Sequence, residues 1–108
     1  MIECKAIVPA GVGRKVLGLI ERDLVAAFDG CHWHVGHGLW ADPAQGGRVM
    51  SEPIVTYVCA IKHVVDGITF SNIIERHCTD AGERYLYVTV PDPFAISTAA
   101  RIINLNEE

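Results

Sequence analysis

PIVTYVCAIKH, Pro53 to His63, decides the fold. Val, Ile, Thr and Tyr, the residue types that fit a pleated and half-buried surface, dominate it, and no glycine interrupts it, so it reads as a central strand of a sheet. Upstream, CHWHV (Cys31–Val35) alternates with period two and reads as a neighbouring strand. Between them GHGLWADPAQGGRVMSE (36–52) is rich in glycine and broken by Pro43, and reads as a long connection or an extended hairpin tip.

A hairpin centred near Gln45 sets Trp33 opposite Tyr57 and His34 opposite Thr56. Cys31, Trp33, Val35, Val55, Tyr57, Cys59 and Ile61 then share one face, expected to be the helix-covered core. His32, His34, Ile54, Thr56, Val58 and Ala60 share the other, joined by either Leu86 and Val88 or Tyr85 and Tyr87.

Further out, IECKAIVP (2–9) is an opening strand that ends at the turn-forming PAGVG. From Arg14 to Phe28, Val16, Leu17, Ile20, Leu24, Ala27 and Phe28 recur at three- and four-residue steps, the stripe of an amphipathic helix stopped by Asp29-Gly30. Phe70, Ile73, Ile74, His77, Cys78 and Ala81 form a second stripe, stopped by Gly82, and RYLYVTVP (84–91) is a fourth strand. In the tail, RIINL fits a short fifth strand or a helix end.

The order βαββαβ is the split βαβ pattern of ferredoxin-like domains, an α+β architecture with an antiparallel sheet and both helices on one face. Residues 1–108 form a single domain, with 91–108 as a C-terminal extension. The second face is too apolar for water, because burying a Val or Ile is worth about 1.5–3 kcal/mol. It predicts a homo-oligomer packed sheet against sheet; the alternative is a monomer whose tail folds over that face.

Composition narrows the partners. A net charge of −4 with nine scattered Lys and Arg excludes a phosphate-neutralising surface, so nucleic acid is not expected. Nothing approaches the roughly 20 apolar residues that span a bilayer, and MIECKAIVPA lacks the pattern of a secretory signal, so the expected location is cytoplasmic, with no membrane partner. Cys4, Cys31, Cys59 and Cys78 are spread out and expected to be reduced. No cofactor is expected.

Several residues are candidates for chemistry. His32 and His34 project to one side of a strand, as two ligands of a metal ion must, although no third ligand stands at a recognisable spacing; the alternative is that they line an interface. In PAGVGRK, Arg14 and Lys15 open a helix behind two glycines, where backbone N–H groups, dipole and cations could hold an anion, or where the glycines simply turn the chain. Trp40 stands among glycines, where a large aromatic suits a ligand or a partner as well as packing. Glu52 leads into the strongest strand. Tyr57, within that strand, joins Arg14 and Lys15 as a candidate ligand contact.

Gly38-Leu39-Trp40, the glycine-bearing segment, Glu52 before PIVTYVCAI, the amphipathic helix and GERYLYV (82–88) together resemble the trimeric PII-like proteins over residues 2 to 90. That resemblance implies sheets packed about a threefold axis, with clefts between subunits for a small, nucleoside-containing ligand. A narrower resemblance is to the phage-type S-adenosylmethionine lyases, which share that trimeric architecture. They carry an aromatic after a glycine, then a glutamate, then a glutamine before the last strand. The corresponding positions are Trp40, Glu52 and Glu83, with Trp in place of Tyr and Glu in place of Gln. The resemblance implies catalytic roles for Trp40 and Glu52, a ligand contact at Glu83, and conversion of S-adenosylmethionine to 5′-methylthioadenosine and homoserine lactone. A metal-binding or structural oligomer that uses His32 and His34 is the third reading.

Overall fold

The computed structural model describes residues 2–83, 85–92 and 97–104. Strand β1 (Ile2–Pro9) leads through a short 3-10 turn at Ala10–Val12 into helix α1 (Arg14–Phe28). Strands β2 (His32–Asp42) and β3 (Arg48–Ile61) form a hairpin, helix α2 (Asp66–Asp80) follows, and β4 (Tyr85–Asp92) and β5 (Ser97–Asn104) complete the chain. The described residues form one antiparallel sheet in the order β2-β3-β1-β4-β5. This is the ferredoxin-like α+β arrangement, extended by one edge strand.

The register matches the alternation in the sequence. Trp33 pairs with Tyr57 and His34 with Thr56, and β1 lies on the other side of β3 with Ala6 opposite Tyr57 and Val8 opposite Val55. Cys4, Ala6, Val8, Val55, Tyr57, Cys59, Ile61, Val88 and Val90 therefore point to one side, where Leu17, Ile20 and Leu24 of α1 and Phe70, Ile73, Ile74 and Cys78 of α2 close over them. Burying Phe70, Ile20, Leu24 and Ile74 completely contributes about 1.5–3 kcal/mol each, which is why the two helices stay on this face.

One expectation changes at the edge of the sheet. Trp33 and Val35 belong to the face of Tyr57 by parity but not to the core: they are 49% and 74% exposed, because β2 is an edge strand beyond the reach of α1. Of the two readings of segment 36–52, the extended hairpin is the one formed, paired down to Asp42 opposite Arg48. Its turn is chemically specified. The Asp42 carboxylate accepts from the backbone N–H of Ala44 at 3.0 Å and from the Gln45 amide at 3.1 Å, and Gly46 and Gly47 take the left-handed backbone, with φ of 67° and 83°, that a side chain would oppose.

The tail resolves to a strand, since β5 pairs along β4 from Tyr85 opposite Asn104 to Asp92 opposite Ser97. No described helix is long and apolar enough to cross a membrane.

Candidate functional site

Beyond the helices the β2–β3 hairpin continues as an arm. On its helix-side face stand Leu39 and Val49, both largely exposed. Its other face, continuous with the open face of the sheet, carries His34, Gly36, Gly38 and Trp40 on β2 and Met50, Glu52 and Ile54 on β3. Trp40 therefore lies within a strand, opposite Met50, and not in a loop. Glu52 pairs with Gly38, which sets its carboxylate diagonal to the Trp40 ring across the arm.

The two glycines leave a strip of bare backbone between Trp40 and His34. Neither has a positive φ, so backbone conformation does not demand glycine at either position. A methyl group at Gly36 would meet nothing within 4 Å, and one at Gly38 would only touch the Ile54 side chain at 3.4 Å. The strip is thus a recess that any larger side chain would fill, bordered by a half-exposed indole, a carboxylate and the apolar side chain of Ile54.

Glu83 follows α2, whose last turn closes through the Glu83 N–H donating to the Cys78 carbonyl at 3.0 Å. Partial burial raises its carboxyl above the usual carboxylate range, and the charge of Glu52 raises it further. The fold thus brings Glu52 and Glu83, 31 positions apart in the chain, within electrostatic reach of each other at the end of the sheet from which the arm projects.

Arg14 and Lys15 begin α1 at that same end, both exposed. Arg14 is engaged elsewhere: its guanidinium lies along the helix and meets Glu21 at 2.5 Å, which raises its own pKa. Glu21 in turn accepts from the Tyr57 hydroxyl at 2.6 Å. Burial alone would raise the Glu21 carboxyl, but hydrogen bonds from Arg14 and Tyr57 outweigh it and hold the group below the usual range. Tyr57 is fully buried beneath α1, and burial followed by the Glu21 carboxylate pushes its hydroxyl well up. A ring so enclosed touches no ligand at the surface; Tyr57 is a core residue whose hydroxyl ties β3 to α1.

His32 and His34 stand on the open face with their rings 5.4 Å apart at a steep mutual angle. Among the described residues no group of three or more His, Cys, Asp or Glu lies where it could share a metal ion, so His32 and His34 have no third ligand there. Sequence reasoning missed another cluster altogether. Asp23 of α1 meets His77 of α2 at 2.6 Å and Arg76 at 2.9 Å, with Arg22 at 3.1 Å on its other oxygen. The bond to His77 is the main reason the Asp23 carboxyl is lowered. His77 had been visible only as part of the apolar stripe of α2; a partner 54 positions away leaves no local signal in the sequence.

The cysteines are free and mostly buried. Burial pushes Cys4 up to about 11 and Cys59 and Cys78 up to about 12, so these thiols are protonated at neutral pH.

No protein-family model matches the chain, and no curated protein matches it in sequence. Solved structures do match. A phage SAM lyase in complex with S-methyl-5′-thioadenosine superposes with a TM-score of 0.66 over 95% of this chain and 88% of its own, at 12% identity. The apo state of a phage SAM lyase gives the same TM-score over 99% and 91%, at 9% identity. The shared property is the fold. The PII-like protein CutA from Nostoc sp. PCC 7120 matches with a TM-score of 0.44 over 98% of this chain and 82% of its own, at 16% identity.

Proposed function

We propose that the chain forms a PII-like homo-oligomer, a trimer by the resemblance above, that binds a small nucleoside-containing ligand in a cleft between subunits. The observation that carries this reading is the glycine-floored recess between Trp40 and Glu52 on the uncovered face of the sheet. A flat ring system fits a strip without side chains beside an indole, and a cation or a hydroxyl donor suits a carboxylate that already has Glu83 as a negative neighbour. Ile7, Ile54 and Tyr87 share that open face and remain partly exposed in the single chain, which favours a second copy as its cover. Lys15, free of any ion pair among the described residues, contributes positive charge at the same end.

Thermal-shift measurements with nucleotides, S-adenosylmethionine and methylthioadenosine test the reading, because a ligand that binds the folded state raises its stability with concentration. The account predicts stabilisation by at least one nucleoside and its loss in Trp40→Ala. No shift with any of them at millimolar concentration would contradict it.

A second reading, favoured by the diagonal placement of Trp40 and Glu52 on one face of the arm and by fold likeness to the phage lyases, is cleavage of S-adenosylmethionine. The substrate carboxylate attacks its own γ-carbon; a C–O bond forms, the C–S bond breaks, and the electron pair neutralises the sulfonium as methylthioadenosine leaves. No proton needs to move. Because the positive charge vanishes along this path, an anionic site and an indole bind the substrate without lowering its barrier, so acceleration comes from the folded pose. Trp40 holds the sulfonium, with a cation–π attraction of about 2 kcal/mol when desolvated, and Glu52 holds the ammonium group. Chromatography should detect methylthioadenosine and homoserine lactone in equal amounts, abolished in Glu52→Gln. Intact substrate after hours with purified protein rules the lyase out and leaves the binding reading standing.

A further inference from the structure

A row of thiols crosses the sheet near the end opposite the arm. Cys4 of β1 pairs directly with Cys59 of β3, and on the far side of Cys59 the register of β2, His32 opposite Val58, carries one step back to Cys31 opposite Cys59. The Cys31 and Cys59 thiols lie close enough to influence each other electrostatically. Cys4 and Cys59 are sealed in the core, at 0% and 1% exposure, whereas Cys31 is half-buried. It lines an open depression together with Phe28, Asp29, Gly30 and His32.

We propose that Cys31 and Cys59 are an oxidisable pair that closes to a cross-strand disulfide, with Cys31 as the thiol that meets the oxidant and Cys59 as the thiol that resolves it. Directly opposed residues of antiparallel strands have Cα atoms about 4.5–5.5 Å apart, inside the roughly 4.4–6.8 Å range of disulfides, so closure needs little backbone movement. The separation of roles follows from access: a soluble oxidant reaches Cys31 from the depression but reaches neither Cys59 nor Cys4. With a low-molecular-weight disulfide as oxidant, the Cys31 thiolate attacks one sulfur and expels a thiolate, giving a mixed disulfide. Cys59 attacks the Cys31 sulfur and expels the second thiolate, which takes up the proton that Cys59 releases. The protein dithiol loses two electrons, and the small disulfide gains them as two thiols. The product staples the start of the edge strand β2 to β3, at the base of the hairpin that carries Trp40 and Glu52.

The test uses the native full chain with oxidised glutathione, followed by alkylation under denaturing conditions, intact mass and peptide mapping. The expected product has lost two hydrogens, retains two alkylatable cysteines and yields a linked peptide joining Cys31 to Cys59. Cys59→Ala should instead trap one glutathione on Cys31, and Cys31→Ser should leave all three remaining thiols free. Four alkylatable thiols after prolonged exposure of the native chain, a stable glutathione adduct on Cys31 with Cys59 intact, or a Cys4–Cys59 link would each overturn the proposal.

Discussion

The same hairpin meets two fates along its length. Near its base, Val55, Tyr57, Cys59 and Ile61 alternate into a sealed core; farther along, Leu39 and Val49 continue the same face and remain in water. The alternation is equally good in both halves. What differs is reach: α1 and α2, each 15 residues long, cover β1, β4 and the nearer half of β3, and then stop. A periodic pattern identifies which residues share a face, but whether the face is covered depends on elements distant in the chain.

Substitutions that separate the two halves can break or sharpen this contrast. The largest effect is expected in the covered half. Phe70→Ala should cost about 3–5 kcal/mol of stability by urea unfolding, through lost burial and the cavity left behind. Leu39→Ser on the arm should change the stability of a single chain by less than about 0.5 kcal/mol. Similar losses for both would dissolve the distinction.

Tyr57→Phe comes next. It keeps the ring and removes the donor to Glu21, so the same assay should register a loss of about 1–3 kcal/mol. An unchanged midpoint would mean that the bond between β3 and α1 holds nothing. On the uncovered half, Gly36→Val fills the recess without steric conflict; it should weaken the nucleoside bound in the thermal-shift screen by about tenfold or more, equivalent to about 1.4 kcal/mol, while leaving the unfolding midpoint within error or higher.

The smallest effect concerns the helix layer. Asp23 has a lowered pKa in the folded chain, so its stabilisation is fully present above the ordinary aspartate value of about 3.9 and is lost as pH falls through the lower folded value. Because the surrounding arginines are exposed, the loss should stay below about 1 kcal/mol, seen as an acid slope in the urea midpoint that Asp23→Asn flattens. A slope identical in that variant would assign the acid sensitivity to other groups.

Much of the fold was legible. Three- and four-residue recurrence marked α1 from Arg14 to Phe28, and parity about Gln45 marked the pairing of Trp33 with Tyr57, because both depend on local periodicity. The arm was harder, since glycine at 36 and 38 masks the alternation that pairing with β3 restores. The tail was undecided because RIINL suits either structure until β4 lies beside it. For the site, residue type pointed to Trp40 and Glu52, but only the register shows that they share one surface, and only the fold brings Glu83 within reach of Glu52. Tyr57 shows the converse: residue type does not reveal that its ring is buried and its hydroxyl bonded to Glu21, because chemically useful side chains are also good core residues when they find an acceptor.

Sedimentation equilibrium of the purified chain at micromolar concentration tests the central claim, that the open face and the recess it shares with the arm are completed by neighbouring copies. The account predicts a species of three chain masses that Tyr87→Lys, placed on the open face opposite Ile7, dissociates. A folded particle of one chain mass at that concentration would contradict it.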